Sequence, residues 1–322
     1  MFDISINWKK TNKVNKLIIL SIQILLIILT QKNLIIPNIK ICLCVIAKNE
    51  NLYVKEFVEY YKKIGYNNIF IYDNNEKNGE NFYEVIDNHI KKGFVEIING
   101  TDRNNSSPQL DAYRDCYKRK NTLYNWLSFF DMDEFLEINK KYKYIQHFLN
   151  DKIFDYCKVI KINWLMNTDE NTLYYDKKPL QERIKYFNYS STSNKHIKST
   201  VKGNLSINYW EQAPTAHSSS LNITTCSSSG KIIRSDSPFN EPPDFTNAKL
   251  KHYYYKSFEE LCLKIKRGRV SLSKIKREEY MFNVYKQLYI ENKNNNEKLI
   301  IIDKIFNYSI NNLSSFNKSL IL

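Results

Sequence analysis

The chain has 322 residues, 43% hydrophobic and 25% charged, which fits a globular protein with one large core or a core and an appended subdomain. Its net charge of +14 is spread over the whole chain, without an RNP-type aromatic motif, zinc-finger spacing or a basic heptad region. Nucleic acid is therefore not the expected partner, and the basic excess suits an anionic substrate or membrane surface instead.

The N-terminal 37 residues differ from the rest of the chain. Residues 1–16 are polar and basic, and residues 17–29 are apolar except for Ser21 and Gln23. A membrane-spanning helix needs about 20 apolar residues, a length reached here only if the segment continues to Ile36. The preceding basic residues and the absence of a small-residue cleavage site favour a type II signal anchor, in the Golgi or secretory pathway of a eukaryote. The alternative is a hydrophobic element packed on a cytoplasmic domain.

Strands and helices alternate after Pro37. Three short apolar runs are typical of buried strands: 39–47, 68–72 and 94–98. Helical spacing of apolar residues predicts two helices between them, which end at Gly65 and Gly93, and Pro108 begins a third. This β-α-β-α-β order predicts an α/β domain with a mostly parallel central sheet, whose ligands lie at the carboxyl ends of the strands. We place this domain at residues 38–275 and a helical cap or tail at 276–322.

Two carboxylates follow the next predicted strand, in the stretch WLSFFDMDEF at 126–135. Asp131 and Asp133 are two residues apart at a strand end and so project to one face. Hard divalent cations bind such oxygens together with the phosphates of a substrate, although an acidic turn that closes a buried strand is an alternative. Because the strand follows three β-α repeats, these carboxylates share a sheet edge with Lys48 and Asp73, which favours a metal and diphosphate site.

Several motifs together resemble glycosyltransferase family 92 and the related family-2-like group. The resemblance covers residues 39–270 and is carried by CLCVIAKNENLYVKEFVEYYKKIGYNNIFIYDNN (42–75), QLDAYRDCY (109–117), WLSFFDMDEFLEI (126–138), KHIKSTVK (195–202) and LKHYYYKSFEELCLKIKRG (250–268). The stretch after Trp164 departs from it, because LMNTD stands where the family has an aromatic-Gly pattern.

The resemblance implies a GT-A nucleotide-sugar-binding fold and a metal-dependent, inverting transfer of a hexose, often galactose, to a glycan acceptor. It implies a UDP-sugar donor bound by seven residues: Lys48, Asn49, Glu50, Asp73, Gln109, Asp131 and Lys198. The implied metal ligands are Asp131, Asp133 and His252, with Mn²⁺ favoured over Mg²⁺. Asp73, Asn49 and Glu50 could alternatively cap a turn or a helix, and Glu134 either orients the ligands or is a structural acid.

The acceptor side is less well defined. The general base should be a carboxylate in the less well matched half, where the candidates are Asp169, Glu170, Glu211 and Asp236. Further residues of family motifs are expected to line the donor or acceptor side: Lys195, His196, Lys198, Ser199 and His217. A basic cluster after His252 either screens the leaving diphosphate or forms a solvated helix face: Lys264, Lys266, Arg267 and Arg269.

Two other functions compete with this interpretation. A membrane-tethered GT-A domain without catalysis would lose the acids, which this sequence keeps at Asp73, Asp131 and Asp133. A nucleotidyltransferase would have a Gly-rich basic signature after the first strand, where KNEN stands. Six cysteines without a CxxC pair argue against zinc and permit disulfides.

Overall fold

The computed structural model describes most of the chain. The described residues are 17–24, 35–100, 107–168, 172–205, 223–234, 237–267 and 274–311. The strands are β1 Ile41–Ala47, β2 Asn68–Asp73, β3 Val95–Asn99, β4 Trp126–Phe129, β5 Glu134–Ile138, β6 Val159–Met166, β7 Ile197–Lys202, β8 Thr225–Cys226 and β9 Ala248–His252. The helices are α1 Asn51–Lys63, α2 Tyr83–Lys91, α3 Pro108–Lys120, α4 Ile145–Leu149, α5 Leu180–Arg183, α6 Phe258–Arg267, α7 Lys274–Glu291 and α8 Asn296–Asn311.

The predicted β-α-β-α-β order is confirmed, with strand and helix ends within about two residues of those expected. Gly65 ends α1 in a left-handed conformation with φ of 104°, which glycine adopts without the steric cost of a Cβ atom. Pro108 is the first residue of α3, where a missing backbone N–H costs nothing.

The central sheet is mixed, so the prediction of a mostly parallel sheet is wrong for its second half. The strand order is β3-β2-β1-β4-β7-β6-β9-β5, and β8 pairs with β6. The pairs among β3, β2, β1 and β4 are parallel, as the repeats require. β7 then lies antiparallel between β4 and β6, and β9 pairs parallel to β6 and antiparallel to β5. Apolar runs indicate strands but not their direction, so the antiparallel direction of β7 could not be predicted from the sequence.

Helices cover both faces of the parallel half. Leu43 and Val45 of β1 belong to a core shared with α1, whereas Cys42 and Cys44 belong to a second core shared with α3. This alternation along a fully buried strand is the period of two that a sheet between two helical layers requires. A disulfide joins Cys44 of β1 to Cys116 of α3, within the second core. A second disulfide links two further buried positions, Cys157 and Cys226.

The pairing of β5 with β9 brings the C-terminal part of the domain to the acidic turn. Glu134 lies opposite His252 in this register, and the backbone N–H of Tyr253 donates to the carbonyl of Asp133 at 2.9 Å. The loop between β4 and β5 is therefore fixed against residues far along the sequence.

Three C-terminal helices form a separate small core. Its members are Phe258, Cys262, Leu288, Ile302, Ile305 and Phe306, from α6, α7 and α8. The predicted boundary after residue 275 falls in the first turn of α7. Among the described residues no helix is long and apolar enough to span a membrane, and residues 25–34 of the predicted anchor lie outside them.

Candidate active site

The acidic turn connects β4 to β5 and is closed by its own side chains. The N–H of Glu134 donates to the carbonyl of Asp131 at 3.1 Å, and the N–H of Asp131 donates to Oε2 of Glu134 at 2.9 Å. Glu134 is fully buried, so this reciprocal pair fixes the turn. It presents Asp131 and Asp133 from one rigid segment.

Asp131 is held by three side chains from two elements, α3 and β7. Nε2 of Gln109 on α3 donates to its Oδ1 at 2.7 Å, and the hydroxyl of Tyr113 donates to the same oxygen at 3.3 Å. Nζ of Lys198 on β7 lies 2.7 Å from Oδ2 of Asp131. The same Nζ lies 3.6 Å from Oε1 of Glu134. The structure thus brings together three of the predicted nucleotide-binding residues, Gln109, Asp131 and Lys198.

Asp133 lies between a lysine and a histidine. Nζ of Lys264 on α6 is 2.5 Å from its Oδ2, and Nε2 of His252 is 3.5 Å from its Oδ1. Burial alone would raise the pKa of Asp133, but the Lys264 ammonium and His252 outweigh it and hold this pKa well below the usual range. Asp133 is therefore a buried, ionised carboxylate.

The residues around Asp133 fit a divalent cation in chemical type. Carboxylate oxygen and imidazole nitrogen both suit Mn²⁺, and burial lowers the pKa of His252, which favours the neutral ring that a ligand requires. Nδ1 of His252 is buried and finds no hydrogen-bond partner among the described residues. The described residues contain no group of three or more His, Cys, Asp or Glu side chains placed to hold a metal. Asp133 and His252 therefore form a pair of possible ligands, and Asp131 does not lie with them as a third.

A second group of predicted residues lies at the ends of β1 and β2, on the same sheet edge. Oδ1 of Asp73 accepts from the N–H of Asn75 at 2.9 Å, and Oδ1 of Asn75 accepts from the N–H of Asn49 at 2.7 Å. Asn49 has a positive φ of 53°, a conformation that asparagine tolerates better than most residues. Asp73 thus forms the turn considered as an alternative, through one of its two carboxylate oxygens.

Two further predicted residues flank this group. Lys48 forms a partly exposed ion pair with Glu76 at 2.6 Å. Glu50 is buried, and its carbonyl accepts from the backbone N–H groups of Tyr53 and Val54 in the first turn of α1. The structure therefore places Lys48, Asn49, Glu50 and Asp73 together at one end of the sheet.

Other predicted residues lie beside the turn or outside the described part of the chain. The ring of His196 stacks on Trp164 at 4.7 Å, and Trp164 also contacts His252 at 4.3 Å. The side chains of Lys266 and Arg267, at the end of α6, are not described. Six candidates fall in undescribed stretches: Asp169, Glu170, Glu211, His217, Asp236 and Arg269.

Sequence reasoning missed Lys256. This lysine is 5% exposed, its ammonium lies 3.3 Å from the centroid of the Tyr53 ring, and its charge helps to lower the pKa of Asp133. The sequence signal was weak, because one more lysine in so basic a chain carries little information. Lys256 differs from the many exposed lysines of the chain because it is buried, four residues after His252.

Comparison with known proteins identifies a family. The family model described as glycosyltransferase family 92 matches residues 38–233. A glycosyltransferase family 92 protein of Ricinus communis is 30% identical over 99 residues, which cover 31% of this chain and 17% of that protein. The chain therefore matches only a small part of this relative's length.

Solved structures of S. aureus TarS are more distant. TarS 1–349 in complex with UDP has a TM-score of 0.38 and 10% identity, over 80% of this chain and 73% of that chain. Another TarS structure has a TM-score of 0.35 and 11% identity, over 74% of this chain and 41% of that chain. At these TM-scores the likeness supports no inference about this chain.

Proposed function

The chain belongs to glycosyltransferase family 92, and we propose that it is a metal-dependent hexosyltransferase with a GT-A type fold. It transfers a hexose such as galactose from a nucleotide sugar, preferably a UDP-sugar, to a glycan acceptor with inversion. The observation that carries this proposal is the convergence of Asp131 and Asp133 with the buried or half-buried cations of Lys198 and Lys264. A site of closely paired carboxylates and ammonium groups suits a diphosphate and a cation.

The donor nucleotide is assigned to the edge formed by β1, β2 and β4. Carboxylate and amide oxygens at Asp73 and Asn49 can accept hydrogen bonds from a nucleotide base or ribose. Lys198 and Lys264 offer positive charge to the phosphate oxygens, where negative charge builds as the sugar–phosphate bond breaks. Gln109 and Tyr113 hold Asp131 in place for this contact.

Asp133 and His252 would hold the cation, with Asp131 as the third predicted ligand. A divalent cation supplies Lewis-acid stabilisation of the departing nucleoside diphosphate, and an imidazole ligand favours Mn²⁺ over Mg²⁺. Glu134 supports both aspartates by fixing the turn between them. The Lys264 ammonium already forms an ion pair with Oδ2 of Asp133. A cation that binds Asp133 therefore either displaces this ammonium or binds the carboxylate together with it.

The acceptor hydroxyl requires a base. In an inverting transfer its oxygen forms one bond to the anomeric carbon as the bond to the diphosphate breaks, and a carboxylate takes its proton. Asp169, Glu170, Glu211 and Asp236 stay the candidate bases.

We also propose that residues 1–37 anchor the domain in a membrane with the domain on the luminal side. The two disulfides support an oxidising compartment, because disulfides persist in secreted and luminal proteins and are rare in the cytosol. The basic residues before the apolar segment support this orientation.

A donor screen tests the proposed function. The purified full chain is incubated with a panel of UDP-, GDP- and TDP-sugars, with Mn²⁺ or with EDTA, and the release of nucleoside diphosphate is measured. We expect slow hydrolysis of a UDP-sugar that requires Mn²⁺. Binding of a donor without turnover in any condition would favour the inactive binding protein. If no donor is bound and none is turned over, both the transferase and the inactive binding protein are refuted.

A further inference from the structure

A buried cluster of three side chains joins helices α1, α5 and α6. Nη1 and Nη2 of Arg183 on α5 donate to Oε2 and Oε1 of Glu260 on α6, at 2.8 and 2.6 Å. The hydroxyl of Tyr53 on α1 donates to Oε1 of Glu260 at 2.6 Å. The side chains of Arg183 and Glu260 are 6% and 1% exposed. A bidentate pair of this kind fixes the orientation of both groups, so Glu260 is fully engaged by its neighbours on α1 and α5.

Arg183 is delivered to this cluster by a helix that is itself fixed. Oε2 of Glu56 on α1 accepts from the N–H of Leu180 at 2.8 Å, and Oε1 of Glu56 accepts from the N–H of Gln181 at 3.3 Å. These two N–H groups open α5 and have no acceptor inside so short a helix. The position of the guanidinium therefore follows from the docking of α5 on α1.

Glu260 and Lys264 have the spacing and order of a local ion pair on α6. A glutamate four residues before a lysine is the arrangement that pairs most favourably along a helix. The structure instead pairs Glu260 with Arg183 and Lys264 with Asp133. Arg183 thus occupies the carboxylate that would otherwise compete for the Lys264 ammonium, one helical turn away.

We propose that Arg183 is a positioning residue of the candidate active site, which occupies Glu260 and so leaves Lys264 to pair with Asp133. In this arrangement Lys264 shields the carboxylate of Asp133 until a cation binds, and its charge stays available to a diphosphate. The proposal rests on the proposed function, because the cation and the diphosphate are those of the donor reaction.

Binding of Mn²⁺ and of UDP to the full chain tests this without turnover. Mn²⁺ binding is measured by electron paramagnetic resonance, and UDP binding in the absence of metal by calorimetry. In Arg183→Met the Lys264 ammonium should turn to Glu260 and leave Asp133 open. Mn²⁺ should then bind about fivefold more tightly and UDP about fivefold more weakly than in the wild type. A purely structural role of Arg183 would weaken both or change neither.

Two double variants show whether Arg183 acts through Glu260 and Lys264. Arg183→Met with Glu260→Gln removes the competing charge and should restore both affinities to about the wild-type values. In Lys264→Met, the further change Arg183→Met should alter neither affinity, because residues of one network are not additive.

The control for lost stability is Asp244→Ala. The Asp244 carboxylate accepts from the Ser227 hydroxyl and the Ser229 N–H, away from α6. Its removal should lower the melting temperature and leave both affinities unchanged. Circular dichroism verifies that each variant is folded. If Arg183→Met does not fold, Arg183→Lys takes its place, with shifts of about twofold in the same two directions, since an ammonium cannot reproduce the bidentate contact.

Unchanged affinities in the Arg183 variant would overturn the proposal, as would a weakening of both. A double variant with Glu260→Gln that behaves like Arg183→Met alone would overturn it too, and so would the absence of Mn²⁺ binding in every variant. A failed donor screen together with the two opposite shifts would refute the transferase and leave the role of Arg183 standing. A successful donor screen without these shifts would refute the positioning role alone.

Discussion

The ammonium of Lys264 lies 2.5 Å from Oδ2 of Asp133, across 131 residues of sequence. Both side chains are shielded from solvent, with 16% of Lys264 and 8% of Asp133 exposed. The chain therefore supplies its own counter-ion at the carboxylate that is also the strongest candidate for holding a divalent cation. A cation that binds there competes with a lysine, and this competition can be measured.

Lys264→Met should destabilise the protein and strengthen its response to Mn²⁺. Removal of one partner from a buried ion pair leaves an uncompensated charge, at a cost of about 3 kcal/mol. Mn²⁺ would then bind Asp133 without displacing an ammonium, so it should raise the melting temperature of the variant more than that of the wild type. Thermal unfolding with and without Mn²⁺ measures both effects.

The matched control is Lys91→Met, because Lys91 pairs with Asp87 on the surface, where 73% and 46% of the two side chains are exposed. Exposed pairs contribute little, so this variant should unfold like the wild type with or without Mn²⁺. If Lys264→Met and Lys91→Met have the same melting temperature and the same response to Mn²⁺, the Lys264–Asp133 ion pair neither stabilises the fold nor competes with the cation.

Asp244→Ala should cost about 2 kcal/mol at neutral pH and progressively less in acid. Burial tends to raise the pKa of Asp244, but hydrogen bonds from Ser227, Ser229 and Thr246 outweigh it and lower this pKa. A carboxyl whose folded pKa is lowered stabilises the fold above its unfolded pKa of about 3.9 and loses this contribution as the pH falls through the folded pKa.

Urea unfolding of the wild type and Asp244→Ala at pH 7 and pH 3 measures this difference. The control is Glu241→Ala, since Glu241 is an exposed neighbour in the same segment. A gap between wild type and Asp244→Ala that is as large at pH 3 as at pH 7 would show that the ionised carboxylate is not the stabilising group.

Two of the six cysteines should react as thiols when the protein is unfolded without reductant. Cys42 and Cys262 are free and buried, whereas the other four form disulfides. After expression in an oxidising compartment, alkylation in denaturant followed by mass spectrometry should modify two residues, and prior reduction should make it six. Six alkylated residues before reduction would rule out both disulfides.

The N-terminal segment should retain the chain in the membrane. After extraction of cells at high pH, the full chain should stay with the membrane pellet. The double variant Ile22→Lys and Leu26→Lys should appear in the supernatant, because a charge in a spanning helix costs about 3 kcal/mol per residue. Release of the unmodified chain into the supernatant would contradict a spanning anchor.

Sequence patterns located the N-terminal half of the site because local signals determine it. Parallel strands bring their carboxyl ends to one edge, so Asp73 and the acidic turn at Asp131 could be placed together from the β-α repeats alone. The two-residue spacing of Asp131 and Asp133 also marked the turn. These inferences require no knowledge of distant contacts.

The C-terminal half of the site depends on contacts that no local pattern encodes. The direction of β7 and the register of β9 on β5 determine where His252 lies, and neither follows from apolar alternation. Lys264 was expected only as one of several basic residues, and nothing in its surroundings marked it as the partner of Asp133. Burial of Lys256 likewise depends on how α6 packs against α1.

Release of UDP from UDP-galactose in the presence of Mn²⁺ tests the central claim most directly, in the wild type, Asp133→Asn and the exposed control Asp155→Asn. We expect Mn²⁺-dependent release by the wild type and by Asp155→Asn, and a loss of at least about 100-fold in Asp133→Asn with its fold unchanged by circular dichroism. Wild-type release by Asp133→Asn would contradict the assignment of this carboxylate to the cation and diphosphate.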